Sequence, residues 1–78
     1  MPRYHFDVRD GEAFVKDDEG SELPDIAMAQ IEAAHVLADM VNDLPLRAAE
    51  PSGYHISIDV RDEAGPLFLL SFAFWRKN

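Results

Sequence analysis

His5, Asp7, His55 and Asp59 are the side chains whose types and spacing could do chemistry. His5 and Asp7 lie two residues apart, and His55 and Asp59 four apart, so in an extended chain each pair shares a face. On neighbouring strands they would offer two imidazoles and two carboxylates, a donor set that suits zinc or another transition metal. The carboxylates could equally serve as a general acid and base. Arg3, Arg9 and Arg61 fall on the same face and would repel a cation. Their ordinary role is to pair with Asp7 and Asp59 across the strands, at about 0.2–1 kcal/mol per pair. That ordinary role is the expected one, and no metal or cofactor is expected.

Other chemistry is weaker still. Asp17-Asp18-Glu19-Gly20-Ser21-Glu22 is acidic, yet it lacks the alternating ligands, central glycine and terminal glutamate of an EF-hand loop. Ser21, Ser52, Ser57 and Ser71 stand in no nucleophile motif, and no glycine-rich phosphate loop is present. His35 falls among small and polar residues on a helix flank.

The elements that must position these residues follow from periodicity. Arg3 to Arg9 alternates, with Tyr4, Phe6 and Val8 on one side and Arg3, His5, Asp7 and Arg9 on the other, which predicts a half-buried strand. Asp10-Gly11 predicts a hairpin, with Ala13-Phe14-Val15 as the short return. Leu23-Pro24-Asp25 leads into a helix over 26–43, with Asp25 as N-cap. Its apolar face is Ile26, Ala29, Ala33, Leu37, Met40, Val41 and Leu44, widened by Ile31, Ala34, Val36 and Ala38, and Pro45 stops it. Residues 47–53 read as a loop. Tyr54 to Arg61 alternates again, with Tyr54, Ile56, Ile58 and Val60 inward. After a turn at 62–65, Leu67 to Trp75 is apolar on both faces: Phe68, Leu70, Phe72 and Phe74 against Leu67, Leu69, Ala73 and Trp75.

Asp7-Val8-Arg9-Asp10 recurs as Asp59-Val60-Arg61-Asp62, so two similar hairpins flank the helix. The expectation is one α+β domain over 1–78, a ββαββ chain. Its four-stranded antiparallel sheet has order 2-1-3-4, with one helix on one face.

Seventy-eight residues bury a small core. The absence of cysteine excludes a disulfide framework or a thiolate-bound zinc, and suits a reducing compartment such as the cytoplasm. No apolar run reaches the roughly 18–20 residues of a membrane span, and the alternating start at Met1–Phe6 is no signal peptide. Seven bases against 15 acids give a net charge of −8. Between Lys16 and Arg47 stand eight acids and no base, so that stretch carries the whole excess. Such a surface repels phosphate backbones, so neither nucleic acid nor membrane is expected as a partner.

The motifs resemble a family of short bacterial proteins known as a domain of unknown function. Its members open with Pro-Arg-Tyr-aromatic-Phe-x-x-Arg-Asp-Gly, here Pro2-Arg3-Tyr4-His5-Phe6-Asp7-Val8-Arg9-Asp10-Gly11, with His5 in place of the aromatic. Asp18-Glu19-Gly20, Leu23-Pro24-Asp25 and Val60-Arg61-Asp62-Glu63-Ala64-Gly65 follow in the family's order. The resemblance implies no activity. A lesser similarity is to HicB-like antitoxin domains, which also set a hairpin before a Leu-Pro-Asp-like helix start; their Gly-Cys segment is absent here.

Helix packing can cover one face of the last strand. Its other row, Leu67, Leu69, Ala73 and Trp75, has no element left to cover it. The expectation is a non-catalytic interaction module that homodimerises through this row and can take a protein partner. The alternatives are a HicB-like antitoxin, or a metal-binding protein or enzyme using the His5, Asp7, His55 and Asp59 face. The charge distribution predicts no appreciable affinity for duplex DNA at physiological salt; a fluorescence-anisotropy titration showing sequence-specific binding would overturn that reading.

Overall fold

The structure, a computed structural model, describes residues 1–43 and 53–75. Its elements in chain order are β1 (Arg3–Asp10), β2 (Ala13–Val15), β3 (Ser21–Glu22), α1 (Ile26–Asn42), β4 (Gly53–Asp62) and β5 (Gly65–Trp75). All strand pairs are antiparallel, and the sheet runs β2-β1-β4-β5 with β3 added on β1. The fold is thus α+β, with one helix among the described residues, as the periodicity implied. The expected count of four strands is corrected to five. Ser21–Glu22 pairs with Arg3 and Tyr4, and a two-residue strand is too short to leave a period in the sequence.

The chain reversal after β1 also differs in detail from the expected one. Gly11 and Glu12 are the two loop residues, and Gly11 has φ +63° while no non-glycine among the described residues has positive φ. That places glycine at the first central position of the turn, the requirement of a II′ hairpin. At the other reversal, the Asp62 carboxylate accepts from the N–H groups of Ala64 (2.8 Å) and Gly65 (3.2 Å), holding the turn from inside.

Asp25 caps α1 as its sequence position requires. Its backbone is extended, and its carboxylate accepts from the Met28 N–H at 3.0 Å. The helix ends at Asn42, where the Asp43 N–H donates to the Met40 carbonyl at 3.2 Å. Leu44, Pro45 and the loop expected at 47–53 lie outside the described residues, apart from Gly53 in β4.

The core lies between α1 and one face of the sheet. Ala29 and Ala33 are fully buried, packed with Tyr4, Ile58 and Val60. Methyl side chains let the helix backbone come close to the sheet, and larger neighbours fill the flanks: Phe6, Val8, Leu23, Val36, Leu37, Phe68 and Leu70. The expected stripe on α1 is too wide. Ile26 and Ile31 are 44% and 48% exposed, and Ala34 and Ala38 are also exposed. A helix on a single sheet buries one arc of its circumference, and burial begins one turn in, at Ala29.

The contact at Ala33 leaves no room for growth. Ala33→Leu should cost about 1–3 kcal/mol through overpacking, whereas Ala34→Leu on the open side should stay within about 0.5 kcal/mol of wild type. Urea denaturation of the two variants checks this; equal midpoints would put the helix in the wrong rotation.

Candidate functional site

Residues that alternate away from α1 form the outer face of the sheet. On β1 these are His5, Asp7 and Arg9; opposite them on β4 stand Arg61, Asp59 and Ser57. Sequence alternation places them correctly but leaves Asp7 open to water. The structure buries it, at 8% exposure, because the segment after β2 folds across this end of the outer face. Asp7 accepts from the Arg61 Nε at 2.8 Å and from the Asp17 backbone N–H at 2.9 Å. The Asp17 carbonyl accepts in turn from Arg61 Nη2 (3.1 Å) and from His5 Nδ1 (2.8 Å). A carbonyl can only accept, so Nδ1 carries the proton in this arrangement.

Asp17 is the residue that sequence reasoning missed. In the sequence it is only the first of the acids in the run Asp17-Asp18-Glu19-Gly20-Ser21-Glu22. Its two carboxylate oxygens accept from the Gly20 N–H and the Phe6 N–H, each at 3.0 Å, so its side chain closes a turn and substitutes for a strand partner of β1. The spacing Asp17-x-x-Gly20 carried the signal of an aspartate-closed turn. Gly20 has φ +73°, and a Cβ there would meet the Arg3 side chain, the His5 ring and the Tyr4 carbonyl at 2.9 Å. Only glycine fits.

The four residues proposed for metal or acid–base chemistry do not converge. Asp7 and Asp59 are direct cross-strand partners, but Arg61 occupies the Asp7 carboxylate and Asp59 is exposed. His5 pairs with Arg61, and His55 lies six residues back along β4. At about 3.3–3.4 Å per residue that separates the imidazoles by roughly 20 Å. Among the described residues no group of three or more His, Asp or Glu could hold a metal ion. The expected arginine pairing is also redistributed. Arg61 takes Asp7, Arg3 takes Glu22 at 3.3 Å, and the Arg9 guanidinium lies over the Phe14 ring, 4.8 Å from its centre. A shallow depression is lined by Met1, Pro2, Arg3, Asp62, Glu63 and Ala64. The Arg3 and Asp62 side chains on its wall are already engaged elsewhere, Arg3 with Glu22 and Asp62 in its own turn.

At the other end of the outer face the character changes. Ser71, Leu69 and Ala73 stand opposite Ser57, Asp59 and His55, and Trp75 stands opposite Gly53. Leu69 is 57% exposed and Trp75 is 71% exposed. The Trp75 ring occupies the space that a side chain at Gly53 would need. Leu67, 37% exposed, sits at a bulge: Val60 pairs with Phe68 and Arg61 with Pro66, which leaves Leu67 without an opposite residue. The four residues expected at an interface are therefore all on the surface, with Leu67 set apart from the regular row by that bulge.

Two layers, one antiparallel sheet and one helix, with an outer face divided between a polar knot and an apolar strip, define a small α+β domain. The chain belongs to the DUF6894 family, described as a domain of unknown function, whose model matches residues 3–73. No curated protein and no solved structure matches it. Among the described residues no helix is long and apolar enough to cross a membrane.

Burial pushes the Asp7 carboxyl up, but the Arg61 and Asp17 hydrogen bonds, with the charges of Arg61 and Lys16, outweigh it and hold its pKa below the usual value. The same contact raises Arg61. A lowered carboxylate contributes stability that is complete above the unfolded value of about 3.9 and is lost as pH falls through the folded value. Thermal melts should therefore show this contribution intact above about pH 5 and disappearing below about pH 4. Asp7→Asn should melt lower at pH 7 and lose part of the acid slope. A variant with the wild-type profile across this range would show that the knot adds nothing to stability.

Proposed function

We propose that the domain is a protein-interaction module that homodimerises through the outer row of β5. The exposure of Leu69 and Trp75 on that strand carries the reading. An apolar strip of this kind on a small domain marks a surface that another protein covers. The neighbouring outer residues of β4 are His55, Ser57 and Asp59, which give the strip a polar border, the usual anatomy of an interface.

The energetics are adequate. Each large apolar side chain that becomes fully buried contributes about 1.5–3 kcal/mol, and a twofold axis doubles the row. After the association entropy is subtracted, such a row is enough to hold a dimer of roughly micromolar or tighter affinity. Phe14, at the far margin of the sheet, is stacked under Arg9 and so is less available.

Sedimentation equilibrium at about 50 μM, above that estimated constant, should find a dimer. The double change Leu69→Lys and Trp75→Lys should give a folded monomer that still melts cooperatively, because both side chains are exposed in the isolated chain, at a temperature lowered by the loss of the stabilisation that dimer formation supplies. A wild-type monomer at that concentration would overturn the proposal.

A further inference from the structure

The two margins of the sheet are built differently. On one side β1 is covered by strands of only three and two residues, and in the gap between them the Asp17 carboxylate takes the Phe6 N–H. Short strands and an inserted acid blunt an edge against further pairing. On the other side β5 runs for 11 residues, and from Leu67 to Trp75 it contains no charged side chain. Among the described residues nothing pairs with its outer side.

The register identifies which backbone groups lie on that open side. The Gly11 N–H donates to the His55 carbonyl at 3.0 Å. By alternation, Ser57 and Asp59 also turn their backbone groups to β1, and Ile56 and Ile58 turn theirs to β5. Ile56 pairs with Phe72 and Ile58 with Leu70, so Leu69, Ser71 and Ala73 point their N–H and C=O groups outward.

The strand is also complementary to itself. About an axis at Ser71, Leu69 meets the partner's Ala73, and Ser71 meets the partner's Ser71. Large faces small without a clash, and hydroxyl faces hydroxyl, a pair that can hydrogen-bond across the strands. On the helix side Leu70 would meet the partner's Phe72 and Phe68 the partner's Phe74, which covers a ring that is 42% exposed in the isolated chain. Charge does not oppose the pairing either, since the stretch from Leu67 to Trp75 is uncharged and adds no repulsion between two chains of net charge −8.

Resting on the homodimer reading, we infer that a second copy of this chain pairs with β5 edge to edge, antiparallel, with the twofold axis at Ser71. The two sheets become one continuous sheet.

Three measurements separate this geometry from self-association in general. In the wild type, amide exchange at Leu69, Ser71 and Ala73 should slow by at least about tenfold between dilute and concentrated samples, since those N–H groups become hydrogen-bonded on pairing. Ala73→Pro removes an outward N–H while leaving the bonds to β4, and should weaken the dimer by at least about tenfold. In a chain that has no cysteine, Ser71→Cys treated with diamide should form a disulfide between two copies. The Cα spacing of a directly opposed pair, about 5.5 Å, lies inside the range for that bond. Asp59→Cys, one strand inward, should not cross-link. A dimer in which these amides exchange at the same rate at all concentrations, or in which Asp59→Cys cross-links and Ser71→Cys does not, would overturn edge pairing and leave the apolar row to face-to-face packing. A wild-type monomer would remove both. If Ala73→Pro fails to fold, the exchange rates of the wild type decide the matter alone.

Discussion

One 17-residue helix roofs one face of a five-stranded sheet, and most of the molecule follows from that limit. The roof sits close because its contact residues are Ala29 and Ala33, both fully buried against the sheet. Tyr4, Ile58 and Val60 complete the centre, and half-buried neighbours close its sides. With a core this small, the remaining sheet face has no hydrophobic cover among the described residues. The chain handles that second face in two ways, one polar and one apolar.

The polar solution is the Asp7–Arg61–Asp17 knot. Burial of a carboxylate is costly unless its lone pairs are used, and here an arginine and a backbone N–H use them. The knot joins β1, β4 and the segment after β2, elements separated by up to 54 residues in sequence. It fixes that segment across the outer face, and the segment in turn delivers the Asp17 carboxylate to the exposed margin of β1. Carboxylates and a histidine that could have served a metal are thereby committed to holding the fold.

The apolar side is left uncovered among the described residues. Leu69, Ala73 and Trp75 lie on a long strand whose open margin has neither charge nor cover among the described residues. The same sheet thus has one margin protected and one that invites addition. The contrast gives β5 its functional interest and the proposed dimer its direction.

The sequence by itself determined the alternating strands, the helix with its Asp25 cap, and the outward placement of Leu67, Leu69, Ala73 and Trp75. Each of these rests on a local rule, a period of two or 3.6 or a capping carboxylate, that operates among near neighbours. The match over residues 3–73 bears out the resemblance to a domain-of-unknown-function family. Tertiary structure alone decided the rest. The strand at Ser21–Glu22 exists because Arg3 and Tyr4 lie beside it, and Asp7 is buried because Asp17 and Arg61 arrive from far along the chain. Likewise His5 and His55 share a face without sharing a site, since separation along the strands depends on register. Which polar residues are buried, and which margin of a sheet stays open, depends on contacts between segments distant in sequence, and no local period encodes those contacts.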